Sequence, residues 1–247
     1  MLVVLVVWHL LAAGVPSFTF PQPLELAVAL KTVVTGSSEF DPVVNYGYTI
    51  GRIAIATAVS LVVGVTAGIV MGLNERAKGY LYVFALLTFA FPSIIWALLG
   101  VLWFGLTTFL VPVFAVFMIV TPYVAIIVEE GMGDLDVDLV EMGAAFGADS
   151  DQLWRDVYIP HLYPHIFAST RLTVTLAWKI TIVAELFGTS NGVGQIILFF
   201  FEQLKNDMIL AWAVPMMALM FGVERLLRVI EARAFTWRDG VDETVAA

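Results

Sequence analysis

Cysteine is absent from this sequence, which excludes disulfides, thiolate catalysis and cysteine-based metal sites. Charge is scarce as well. Only 13% of the 247 residues are Asp, Glu, Lys or Arg, about half the level of an ordinary water-facing domain. No Gly-x-x-x-x-Gly-Lys-Ser/Thr pattern occurs, so the chain has no phosphate-cradling P-loop of its own. Histidine is limited to His9, His161 and His165. The last two are four apart and can share a helix face, yet no acidic residue completes a zinc set of the usual spacing. They read as interfacial histidines. No nucleophile–base constellation stands out, so neither an enzyme nor a cofactor nor a nucleic-acid partner is expected.

Apolar residues are what the chain has in abundance: 60% are hydrophobic and the mean hydropathy is +0.93. Runs of about 20 apolar residues, enough to cross roughly 30 Å of hydrocarbon, recur along it. They predict an all-α, polytopic protein with one membrane domain over residues 1–247 and about six transmembrane helices. Residues 2–15 are short for a span and are closed by Pro16. With no basic stretch before them they read as a first helix, abbreviated or begun upstream, rather than a signal peptide. Residues 16–48 form a polar connection. Further spans are expected at about 49–71, 80–104 with an interruption at Pro92, 109–128, 166–186 and 208–227.

Lysine and arginine set the orientation. With both termini cytoplasmic, Arg76, Lys78, Arg155, Arg225, Arg228, Arg233 and Arg238 lie inside, and Lys31, Lys205 and Arg52 outside. The segment 129–160 and the tail 228–247 then share the cytoplasmic face. The net charge is −9, with acid gathered at Glu129, Glu130, Asp134, Asp136, Asp138, Glu141, Asp149, Asp151 and Asp156. Two readings stand: a surface adapted to high cytoplasmic salt, where self-repulsion is screened, or an acidic patch that docks a basic partner.

Within that segment, Asp138 with Glu141 and Asp149 with Gln152 have capping-box spacing. They predict short helices at about 139–146 and 150–158, separated by a turn at Gly147, which accepts positive φ without a Cβ penalty. Gly143, Ala144 and Ala145 give the first helix a smooth face for close approach. Leu153, Trp154 and Val157 form an apolar patch on the second, and Pro160 is expected to end it before the next span.

Glu141, Gly147 six residues on, then Val157, Ile159 and Pro160 resemble the EAA signature of ABC-importer permeases: Glu-Ala-Ala, three residues, Gly, nine residues, Ile-x-Leu-Pro. Met142 and Gly143 replace the two alanines. Phe-Pro-Ser-Ile-Ile-Trp-Ala-Leu-Leu-Gly-Val-Leu-Trp-Phe-Gly at 91–105 and Ala-Glu-Leu-Phe-Gly-Thr-Ser-Asn-Gly-Val-Gly at 184–194 are similar to patterns of the nitrate/sulfonate/taurine-type permeases. So are Phe-Pro-Gln-Pro at 20–23 and the basic run from Arg225 to Arg238. The resemblance covers about residues 20–238. It implies a permease of a binding-protein-dependent importer, working with cytoplasmic ATPase subunits, a second permease copy and an external solute-binding protein. Residues 139–160 would be the coupling element seated in the ATPase, with Leu153, Trp154 and Val157 as anchors. The loop at Gly188, Gly192 and Gly194 would be flexible or a gate.

Lys179 and Glu185 interrupt the span at 166–186, with Arg171 near its inner end. Such side chains are expensive in lipid and default to functional candidates. Lys179 and Glu185 are six apart, about 240° around a helix, so they share no face and each must meet another helix or a watery cavity. Lys179 suits attraction of an anionic solute such as nitrate, sulfonate or taurine. For Glu185, a structural ion pair or interfacial solvation are the alternatives to a place in the pathway. Arg171 is expected to snorkel to the headgroups, and Trp96, Trp103, Trp178 and Trp212 to serve packing. The rival class is an ion-coupled secondary transporter, which would show paired halves and midplane carboxylates; no internal repeat is visible.

Overall fold

A computed structural model describes residues 2–16 and 19–234, and among them every regular element is a helix. In chain order these are α1 Leu2–Ala13, α2 Pro23–Val34, α3 Pro42–Leu73, α4 Glu75–Ala90, α5 Ser93–Phe104, α6 Leu110–Gly133, α7 Val137–Ala145, α8 Ser150–Leu153, α9 Ile159–Gly188, α10 Val193–Glu202 and α11 Asn206–Ala234. Arg238 and the rest of the tail beyond residue 234 lie outside the described residues. Four helical stretches are long and apolar enough to cross a membrane: Pro42–Leu73, Leu110–Gly133, Ser150–Gly188 and Asn206–Arg233. The expected first span is represented by α1, whose 12 residues reach about 18 Å.

The interrupted third span is not a kinked rod. α4 and α5 meet at 96°. Proline restricts the residue before it to extended backbone, and Phe91 sits at φ −87, ψ 128. Pro92 has no N–H for the carbonyl of Thr88, which takes the N–H of Phe91 at 3.3 Å instead. The connection at 16–48 is also more regular than expected, since α2 occupies its middle, with Pro23 opening it and Gln22 and Glu25 forming a capping box.

The chain divides into two compact units. The first comprises residues 1–55, 93–115 and 178–222. Its core gathers Val33, Ala97, Val111, Ala184, Ile196, Trp212 and Met216, all nearly inaccessible. Gly100 and Gly188 both leave room for Val111. Tyr46 stacks on Trp212 at 5.3 Å and donates its hydroxyl to the Trp212 carbonyl at 2.8 Å.

The second unit comprises residues 56–92, 116–177 and 223–247. Its organising feature is a column of small residues on α3 at four-residue spacing: Ala56, Ser60, Gly64, Gly68 and Gly72. A Cβ at Gly64 would stand 2.5 Å from the Cβ of Val124, and one at Gly68 would stand 2.5 Å from the carbonyl oxygen of Ala125. Gly72 meets Met132 in the same way. Without a hydrophobic driving force in lipid, helices associate by close van der Waals contact, which small residues permit. Glu129 lies in α6, not in a loop; it is buried and Lys78 holds it at 2.8 Å. The acid-rich segment therefore begins only after Gly133.

Candidate functional site

The α7–α8 hairpin belongs to the second unit. Asp136, rather than Asp138, caps α7, accepting the N–H of Asp138 at 3.0 Å. Asp149 and Gln152 form the expected capping box in both directions. α7 ends in a Schellman motif: the N–H of Ala148 reaches the Gly143 carbonyl and that of Gly147 the Ala144 carbonyl, each at 3.0 Å. That motif needs a left-handed residue at its centre, and Gly147 has φ +83.

Pro160 does not end the second helix. Trp154–Tyr158 form one wider turn, closed by the N–H of Ile159 on the carbonyl of Trp154, and the helix continues into α9. Proline lacks the N–H that an α ladder requires, and a turn of i→i+5 pairing placed just before it absorbs the defect. From Ser150 to Gly188 the chain is therefore one helical rod of 39 residues. Gly143 is spoken for inside the chain: a Cβ there would stand 2.8 Å from Cδ2 of Leu153. Trp154 lies against Tyr158, ring centroids 4.7 Å apart. Leu153, Trp154 and Val157 are half-buried, whereas Glu141, Ala144, Ile159 and Pro160 are exposed. Sequence reasoning passed over Phe146, which is 86% exposed; only its place immediately before a turn glycine could have drawn notice.

At the root of the hairpin, Nε2 of His161 lies 2.9 Å from the Gly131 carbonyl oxygen. His165 packs on Gly131, where a Cβ would come within 2.5 Å of its ring. Arg171 faces Glu224 at 3.4 Å and Glu231 at 3.5 Å, so its guanidinium meets carboxylates rather than headgroups alone.

The first unit holds Lys179 and Glu185 of α9, and it separates them. Lys179 is exposed, between buried Trp178 and Ile180. Glu185 is wholly buried and pairs with Arg52 at 2.5 Å. Arg52 is not an outward-facing cation: it too has no exposure. Its Nε donates to the Thr108 carbonyl at 2.5 Å, and its Nη1 to the Asn191 carbonyl at 2.9 Å. Its Nη2 donates to Oδ1 of Asn191. The other carboxylate oxygen of Glu185 accepts from Thr49 at 3.0 Å and from the N–H of Gly194 at 2.8 Å. The N–H groups of Gly192 and Val193 donate to Asn45 and Thr49, each at 2.9 Å. Gly192, at φ +101, leaves no room for a Cβ beside Arg52 and Glu185. The turn between α9 and α10 is thus pinned through its backbone, not loose. Every acceptor of the buried carboxylate is used, the condition under which a buried charge is tolerated.

A family model described as "Binding-protein-dependent transport system inner membrane component" matches residues 60–236. The chain belongs to this family. It is a membrane permease subunit of an ABC importer. The taurine transport system permease protein of Escherichia coli K12 is 24% identical over 97% of this chain and 88% of its own length. A putative aliphatic sulfonates transport permease protein of Bacillus subtilis is 24% identical over 97% and 86%. A putative ABC transporter permease protein of Methanocaldococcus jannaschii is 23% identical over 94% and 88%. Among solved structures, an inward-facing methionine ABC transporter has a TM-score of 0.57 at 18% identity, over 76% of this chain and 95% of that one. An amino acid ABC transporter reaches 0.59 at 16% identity, over 77% and 92%. These neighbours are ABC-importer permeases, and the secondary-transporter alternative is set aside.

Proposed function

We propose that this permease carries a small anion of the sulfonate class, with Lys179 facing the pathway. The carrying observation is an exposed ammonium within a span and without a hydrogen-bond or ion-pair partner among the described residues. Lys179 is nine residues from Gly188, about 14 Å at 1.5 Å per residue, near the middle of a roughly 30 Å hydrocarbon layer. A lone cation facing lipid at that depth costs at least about 2.5 kcal/mol. A water-filled path closed by a second copy of the chain removes that cost and concentrates anions. The taurine and aliphatic sulfonate systems for which its relatives are named share one chemistry, a negatively charged sulfonate group.

Glu185 serves the same unit differently: its bonds to Arg52, Thr49 and Gly194 make it a support for the turn beside the pathway. Residues 134–160 act as the coupling element for separate, ATP-hydrolysing subunits. Their continuity with the helical stretch Ser150–Gly188 supports this, because the second arm of the hairpin and α9 are one unbroken run of helix. Both termini are then cytoplasmic, and an external solute-binding protein delivers the solute.

In proteoliposomes loaded with the full transporter, Lys179→Met is expected to lower taurine uptake at least about tenfold, the effect of losing one favourable charge contact. ATP hydrolysis without solute should be unchanged. Uptake at the wild-type rate would remove Lys179 from the pathway. Gly147→Asp places a side chain at positive φ, at a cost of about 1–2 kcal/mol, and is expected to abolish transport while the permease still inserts. Normal transport in that variant would remove the coupling assignment.

A further inference from the structure

α7 and the turn after it carry an apolar stripe that no described residue covers. Leu139, Met142 and Phe146 recur at i, i+3 and i+7, the spacing of a helix that lays one face into a groove. Their exposures are 46%, 52% and 86%. The inward side of α7 is already used, with Gly143 against Leu153. Phe146 sits at the C-cap, held by its own N–H on the Met142 carbonyl at 3.0 Å and by the Schellman bonds that follow. Its backbone is fixed at the tip of a hairpin, so binding has only its side-chain torsions left to order. Methionine beside it adapts to an irregular partner surface.

The charge around the stripe selects what covers it. Asp136, Asp138, Glu141, Asp149 and Asp151 are all exposed. The one basic residue between positions 134 and 156, Arg155, is tied to Asp156 at 2.9 Å. An anionic lipid surface would be repelled, and a second copy would bring the same acids against themselves. We infer that Phe146, flanked by Met142 and Leu139, plugs an apolar pocket rimmed by lysine and arginine on the cytoplasmic ATPase. This rests on the coupling reading above. It moves the anchor from Leu153, Trp154 and Val157, which pack within the hairpin and its rod, to a residue that packs on nothing. It also favours the docking-patch reading of the acidic bias at this segment. Opposite charges on the two rims speed encounter and fix the pairing, and both effects weaken as salt shortens the Debye length.

The test is retention of the ATPase on tagged permease purified from native membranes, read as ATP hydrolysis per permease after washes at low and high KCl. Phe146→Ala is expected to lose at least about tenfold in retained activity at either salt, as truncation of a central aromatic anchor does. Phe146→Leu should keep most of it. Asp136→Asn/Asp138→Asn/Glu141→Gln should match wild type at high KCl and lose the gain seen at low KCl. Because Phe146 is nearly all exposed, the size-exclusion profile of its variants should be that of wild type. Wild-type retention in Phe146→Ala, with loss in Leu153→Ala or Trp154→Ala, would overturn this inference and leave the coupling reading standing. Retention that strengthens with salt would overturn the basic rim. If no variant in the hairpin strips the ATPase, both readings fall.

Discussion

Arg52→Ala is expected to destabilise the permease by about 3–5 kcal/mol, the cost of breaking a buried ion pair from one side. The substitution strands the Glu185 carboxylate at zero exposure and releases the Asn191 carbonyl and side chain. It also removes the guanidinium lying 5.5 Å over the Tyr48 ring and 5.7 Å over the Phe109 ring. The turn at 189–192 loses its main tether to α3. Thermal unfolding in detergent, followed by size-exclusion recovery, measures the effect, and an unshifted midpoint would contradict it. The double variant Arg52→Met/Glu185→Gln removes both charges but keeps an acceptor for Thr49 and Gly194. It should recover more than half of the loss, because most of the single-variant cost is the uncompensated charge and not the missing contact.

The second large effect is expected at Gly68. Valine there puts its Cβ 2.5 Å from the Ala125 carbonyl oxygen and 2.7 Å from the Val128 Cβ. The nearest obstacle is backbone, which cannot swing aside, so α3 and α6 must separate. Overpacking costs about 1–3 kcal/mol and occasionally more. The upper end applies here, because Gly64 and Gly72 on the same column lose their contacts as the helices part. Gly79 provides the control. It lies inside α4 with nothing within 4 Å of a Cβ, so alanine there should be neutral or stabilising by up to about 1 kcal/mol. Equal melting of Gly68→Val and wild type would refute the column as the basis of α3–α6 packing.

The apolar runs led to the spans because hydrocarbon thickness imposes a length, and that constraint is local. The two capping residues at Asp149 and Gln152 and the positive φ at Gly147 were equally legible, since each is settled within a few residues. Pro92 announced an interruption, but its 96° bend depends on how α4 and α5 find neighbours. Pro160 misled: a proline after a short helix normally ends it, and nothing in the sequence signalled the wider turn that carries the helix through. Asp138 lies two residues past the true cap, Asp136; capping-box spacing pointed to Asp138 because Glu141 follows it by three, a place Leu139 occupies after Asp136.

The candidate site divides in the same way. Helical geometry alone separates Lys179 from Glu185 by about 240°, and the structure puts one in the open and the other in the core. The partner of Glu185 lies 133 positions away, and no pattern in the chain links Arg52 to it. The glycines of α3 stand visibly four apart, yet which helix they receive depends on packing. Likewise, the EAA-like signature located the hairpin without saying which side chains it spends on itself. Composition, hydropathy and local capping thus establish the membrane class, the spans and the place of the α7–α8 hairpin, because those depend on solvent and on neighbours within a turn. Tertiary structure alone decides that Arg52 and Glu185 are a pair, that Gly143 is filled by Leu153 and that Phe146 is left exposed, because each depends on how helices pack and not on neighbours within a turn.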